Sequence, residues 1–141
     1  MSQTRFIDTN ILLRYLTNDH ADHSPRSARL FYEMAVGEFA GLLSMTAIFE
    51  VVYVLEGLKQ WGREQIVQSL EILAMAPGIR FLNDEREYLA ATLALYAVIP
   101  KLSFADCYHA VLSQTFCNSE IYTFDREFDR IPGLTRLEPG E

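Results

Sequence analysis

The chain has 141 residues, half of them hydrophobic, and a formal net charge of −7. That length suits one domain with one sizeable core, residues 1–141, and the apolar content excludes a disordered chain. The acidic balance argues against a broad basic platform for nucleic acid, though not against a protein that reaches phosphates through bound cations. The N-terminus opens on a short polar stretch, unlike a secretory signal. The richest apolar stretch, 89–99, contains Thr92 and falls short of the ~18 residues of a membrane span; a soluble, cytoplasmic protein is expected. Cys107 and Cys117 carry no pairing motif and read as small reduced core residues. His20 and His23 in a polar loop are a weak metal signal.

In chain order, residues 5–7 read as a buried strand that runs into Asp8-Thr9-Asn10 and a helix to about Leu16. After a loop over 18–23, Ser24 as N-cap and Pro25 at the first helical position open a second helix. Its buried face is expected to carry Ala28, Phe31, Tyr32 and Ala35, and Gly37 ends it. Residues 41–44 form a short strand, followed by a helix to about Leu58 capped by Ser44 or Thr46. Apolar residues nearly surround that helix, whereas one-sided packing needs a stripe of only about 100°. Either a second subunit or deep burial within the domain would account for the excess.

A helix over 63–75 presents Ile66, Leu70 and Leu73 on one face; Pro77-Gly78 breaks the chain, and 79–82 is a short strand. Asp84 with Glu87 resembles a capping box for a helix that Pro100 stops. Ser103 caps the next helix, whose buried face is expected to hold Phe104, Tyr108, Val111, Leu112 and Thr115. Residues 121–124 form a strand that Asp125 ends, then a helical turn through Phe128 and a last extended piece over 134–137. Strands alternating with helices imply a parallel sheet covered on both faces, with right-handed crossovers.

Strands end and helices begin at the same, carboxyl edge of such a sheet, where ligands bind in open α/β folds. Asp8 ends the first strand, and Glu50 lies about a turn into the helix after the second. Asp106 lies in the first turn of the helix leading to 121–124, and Asp125 ends that strand. Each has an ordinary explanation: Asp8 and Asp125 as caps, Asp106 as a partner of Ser103, Glu50 as a surface acid. All four ordinary explanations together are much less natural. Crowded carboxylates repel, and a divalent cation removes that cost; all-oxygen ligation favours Mg²⁺ or Mn²⁺ over zinc or copper. Such ions activate water and neutralise charge at a phosphoryl centre.

These features resemble a known family. Asp8-Thr9-Asn10 after a strand, Glu50 in an apolar helix, Phe104-Ala105-Asp106 with His109-Ala110, and Thr123-Phe124-Asp125-Arg126-Glu127-Phe128 look like the PIN-domain ribonucleases, and among them the VapC-type toxins of toxin–antitoxin pairs. No single motif is specific, but their order and spacing cover nearly the whole chain. The resemblance implies a three-layer α/β/α domain with a five-stranded parallel sheet of order 3-2-1-4-5 and metal-dependent endonuclease activity on RNA. It carries Asp8, Glu50, Asp106 and Asp125 into a site for one or two Mg²⁺ or Mn²⁺ ions, with Asn10 and Thr123 as polar support. It further implies an antitoxin protein as partner and a homodimer. Arg14, Arg26, Lys59, Arg63 and Lys101 are possible RNA backbone contacts, although ordinary solvated surface charge is the stronger reading for each one individually.

Two other classes stand beside this reading. An aspartyl-phosphate phosphotransferase also places an Asp at a strand end, but the second Asp expected two residues on is Asn10 here. A non-catalytic PIN-like binding module is the other; the full set of four acids argues against degeneracy.

Overall fold

The computed structural model describes residues 3–140, apart from the side chain of Asp84; the capping box proposed for Asp84 therefore lies outside the described residues. The chain divides into two compact units, Met1–Arg86 and Glu87–Glu141.

The first unit contains β1 (Thr4–Phe6), α1 (Thr9–Thr17), α2 (His23–Ala35), β2 (Ala40–Leu43), α3 (Met45–Gly57), α4 (Arg63–Ala74) and β3 (Ile79–Phe81). The strands form a parallel sheet in the order β1-β2-β3, with Phe6 opposite Leu42 and Leu43 opposite Phe81. Ile66, Leu70 and Leu73 of α4 are fully buried, as their spacing predicts. Two glycines are dictated by packing around Met34. A Cβ on Gly41 would lie 2.3 Å from the Met34 sulfur, and one on Gly78 would lie 2.3 Å from the Met34 carbonyl oxygen, at a φ of +78° that already favours glycine.

Two expectations about α2 are corrected. Ser24 is not its N-cap: the helix begins at His23, two residues before Pro25, and the His20 ring does the capping. Its Nδ1 accepts from the backbone N–H groups of Asp22 (3.2 Å) and His23 (2.8 Å), while the Ser24 hydroxyl is turned back to accept from His20 N–H. Pro25 is then the third helical residue, still among the N–H positions with no intrahelical partner. The buried face is Ser24, Ser27, Phe31 and Met34, whereas Tyr32, Ala28 and Ala35 are exposed. The start of α3 is likewise completed from a distance. Neither Ser44 nor Thr46 makes a side-chain cap; Glu85 Oε2 accepts from Met45 N–H at 3.1 Å. On α3 itself Ile48, Val51, Val52 and Leu55 are buried, but Tyr53 is 78% exposed. The apolar excess thus reaches the surface.

The α5 helix (Glu85–Val98) follows a single 3₁₀ turn, Leu82–Asp84, and leads into the second unit. That unit continues with α6 (Phe104–Phe116), β4 (Glu120–Tyr122), a 3₁₀ helix (Arg126–Arg130) and β5 (Thr135–Leu137). Ser103 does cap α6, accepting from Asp106 N–H at 3.1 Å. The buried face of α6 is Phe104, Cys107, Ala110, Val111 and Ser113; Thr115 is exposed, and Tyr108 and Leu112 are half-buried. Cys107 is a core residue as expected, but Cys117 is exposed; both are free thiols. β4 pairs with β5 in parallel, Tyr122 opposite Leu137. The five strands are therefore displayed as a three-stranded and a two-stranded parallel sheet, and not as one sheet of order 3-2-1-4-5.

Candidate active site

In the first unit the β1–β2 ladder continues one residue past β1, Ile7 N–H donating to Leu42 carbonyl at 3.0 Å. Ile7 is buried, which pins the backbone just before Asp8. Asp8 is extended (φ −84°, ψ 163°), and its carboxylate caps α1 by accepting from Thr9 N–H at 2.7 Å. The cap reading of Asp8 is thus correct, and the residue is exposed. Asn10 is exposed two residues on. Glu50 is the sixth residue of α3, exposed between half-buried Phe49 and buried Val51. Asp8 and Glu50 follow the carboxyl ends of adjacent parallel strands, on helices that pack together.

In the second unit α6 packs along β4 and reaches it through the turn 117–119, where Asn118 and Ser119 take left-handed φ values of 52° and 62°. The start of α6 and the end of β4 therefore share one end of the unit. Asp106, half-buried, is the third residue of α6. Asp125 caps the 3₁₀ helix, Oδ1 accepting from Glu127 N–H at 2.9 Å. Its own N–H donates to the Thr123 hydroxyl at 3.0 Å, and Thr123 N–H donates to Leu137 carbonyl at 3.0 Å. Thr123 thereby ties Asp125 to the β4–β5 pair.

Each unit thus carries two of the four acids. Among the described residues no three of Asp, Glu, His and Cys are gathered as a group that could hold a metal ion. In each unit the two acids offer carboxylate oxygens, the donor type that suits a hard divalent cation. None of the four lies within 4 Å of a described Lys, Arg or His nitrogen. Six other acids do: Asp19, Asp22, Glu33, Glu127, Asp129 and Glu138.

Of the basic residues singled out from the sequence, Lys59 pairs with Asp19, which also accepts from the Thr17 hydroxyl at 2.8 Å, and Arg14 and Arg26 pair with Asp19 and Asp22 respectively. The Lys59 hydrogen bond, followed by that of Thr17, holds the Asp19 carboxyl down at about 2. Arg14 and Arg26 also line a cavity between α1 and α2, together with His23, Ser27 and Leu30, which the sequence reading passed over. Their signal was present as the spacing 23, 26, 27 and 30, one face of a helix.

Residues 5–134 match the PIN domain family. Over 143 aligned positions the chain is 24% identical to a VapC ribonuclease of Aquifex aeolicus (strain VF5), covering 97% of this chain and 98% of that protein. The match spans all four acids and agrees with the resemblance read from the motifs. No helix among the described residues is long and apolar enough to cross a membrane. The chain belongs to the PIN-domain family.

Proposed function

We propose that this protein is a divalent-metal-dependent endoribonuclease, cytoplasmic, and the toxin of a toxin–antitoxin pair. In this reading residues 1–141 act as a single nuclease domain whose five strands take the order 3-2-1-4-5. Asp8, Glu50, Asp106 and Asp125 converge on one or two Mg²⁺ or Mn²⁺ ions, with Asn10 and Thr123 in support. The observation that carries it is the position of the four acids. Each follows a strand's carboxyl end or lies near the start of the helix beside one, and among the described residues none is paired with a basic side chain. Support for the strand order comes from the open edges: among the described residues β1 pairs only with β2, and β4 only with β5. The VapC ribonuclease relative supports the activity and the toxin role.

A bound Mg²⁺ or Mn²⁺ would supply positive charge at the scissile phosphate and a more acidic water. The chain's own groups hold and orient. Thr9 N–H fixes one oxygen of Asp8, and Glu127 N–H fixes one oxygen of Asp125, so the second oxygen of each would serve the metal. The Thr123 hydroxyl anchors the backbone of Asp125. Water adds to phosphorus, the bond to the 3′ oxygen breaks, and the downstream fragment keeps a 5′-phosphate.

Purified protein should cleave structured cellular RNA, stop in EDTA and recover with Mn²⁺. Asp8→Asn should lower the rate at least about 100-fold, the upper end of what losing even an outer metal-site partner costs. Cleavage unchanged in EDTA would overturn the metal-dependent reading. The exposed apolar side chains Tyr53, Leu58, Ile72 and Met75 support a homodimer and an antitoxin partner. Co-expression with neighbouring reading frames should give a stable complex and relieve growth arrest. Harmless expression with no partner would remove the toxin role while leaving the nuclease reading intact.

A further inference from the structure

The cavity between α1 and α2 has a volume of about 470 Å³, within the usual range for a small-molecule site. Its chemistry is unlike the rest of this acidic chain. Arg14 from α1 and Arg26 from α2 line it, so two guanidinium groups border one space. Neither is tightly committed. Arg14 lies 3.4 Å from Asp19, a carboxylate already occupied by Lys59 and Thr17. Arg26 lies 3.2 Å from Asp22, and both side chains are largely exposed (74% and 65%), the kind of pair that contributes little. Guanidinium forks match phosphate geometry.

Ser27 adds an independent sign. It lines the cavity and is only 3% exposed. Its hydroxyl is a donor that a phosphate oxygen would accept from. Ile11 and Leu30 give the same cavity an apolar wall, which inorganic phosphate would leave unused and a nucleoside would cover. Asn10 stands on the lining, two residues from Asp8.

We propose that this pocket holds one nucleotide of the RNA next to the cleaved linkage, its phosphate on Arg14, Arg26 and Ser27 and its nucleoside against Ile11 and Leu30. The proposal rests on the ribonuclease reading. It is tested by binding, which needs no turnover. A fluorescein-labelled oligoribonucleotide is titrated by anisotropy into the full chain carrying Asp8→Asn, across a salt series. The same is done with Arg14→Gln, Arg26→Gln or Arg29→Gln added. Arg29 is the control: it sits on the same helix and carries the same charge, but pairs with Glu33 and does not line the cavity.

Arg14→Gln and Arg26→Gln should each weaken binding on the order of tenfold. Each should also lower the slope of log affinity against log salt, the two together by about 0.7, one phosphate on a single strand, while Arg29→Gln changes neither. A neutral methylphosphonate moved along the oligonucleotide should weaken the parent at one linkage and Arg26→Gln at none. If Arg14→Gln and Arg26→Gln behave as Arg29→Gln does, or if no linkage stands out, the pocket does not hold RNA and the proposal falls. Cleavage by the unsubstituted chain with Mn²⁺ is scored separately: cleavage without the arginine effect leaves the nuclease reading standing, and the arginine effect without cleavage leaves only an RNA-binding pocket.

Discussion

The two platforms that carry the acids are held by different forces. In the first unit Asp8 and Glu50 stand on a three-stranded sheet backed by aliphatic packing: Leu12, Leu43, Ile48, Leu55, Ile66, Leu70 and Leu73 are all fully buried. In the second, the stretch from β4 through β5 buries little beyond Phe128 and Ile131. Arg136, its side chain 15% exposed, binds that stretch together. It donates to Asp129 at 3.0 Å, to Glu138 at 2.9 Å and to the Thr123 carbonyl at 3.3 Å. These bonds from Asp129, then Glu138, raise the guanidinium pKa above its usual value. One task, holding a carboxylate at a strand's end, is done by close packing in one place and by a charged network in the other. The first should fail through cavities and the second through lost charge.

The largest effect is expected from a cavity under the first platform. Leu70→Ala should destabilise by about 2–5 kcal/mol, read as a lower urea midpoint with an unchanged slope. A loss under about 1 kcal/mol would mean that the sheet does not depend on this packing.

Next is the local support of Asp106. Ser103→Ala removes the α6 cap and should cost about 1 kcal/mol, while Ser103→Thr should retain most of it. If alanine and threonine are equally harmless, the observed hydrogen bond carries no stability.

The third test separates the platforms directly. Arg136→Leu should speed hydrogen exchange of the Thr123 amide, which bridges to β5, and leave the Ile7 amide on β2 protected as before. Equal acceleration at both would erase the distinction. High salt should reproduce this only weakly, because a largely buried guanidinium is poorly screened.

The smallest effect concerns Asp19, which ties the end of α1 to Lys59 beyond α3. Its folded pKa is lowered, to about 2 from 3.8. Its stabilising contribution is therefore fully present above the unfolded pKa and is lost as pH falls from about 4 through about 2. Acid titrations followed by circular dichroism should show Asp19→Asn unfolding with a shallower dependence across that window. An identical profile would mean that the pair adds nothing.

Most signals that act within one turn of chain were readable in the sequence, the start of α2 at His20 being the exception. Ser103 caps α6, Gly37 and Pro100 stop their helices, Asp8 and Asp125 cap at strand ends, and the α4 face is as spaced. The α2 face was misread because hydrophobic periodicity counts only apolar side chains. Ser24 and Ser27 are buried there by their surroundings, one bonded to His20 and the other on the cavity wall.

By itself, then, the sequence determined the order of helices and strands, most helix ends, and the positions of Asp8, Glu50, Asp106 and Asp125 relative to them. Those follow from dihedral preferences and from hydrogen bonds reaching three or four residues. Tertiary structure alone decided that Glu85 completes the start of α3 across forty residues, and that Met34 admits only glycine at positions 41 and 78. It also decided that Arg14 and Arg26, ordinary surface charges in the sequence, border one cavity with Ser27. Such meetings depend on which helix faces pack together, and chain spacing carries no record of a neighbour supplied by another element.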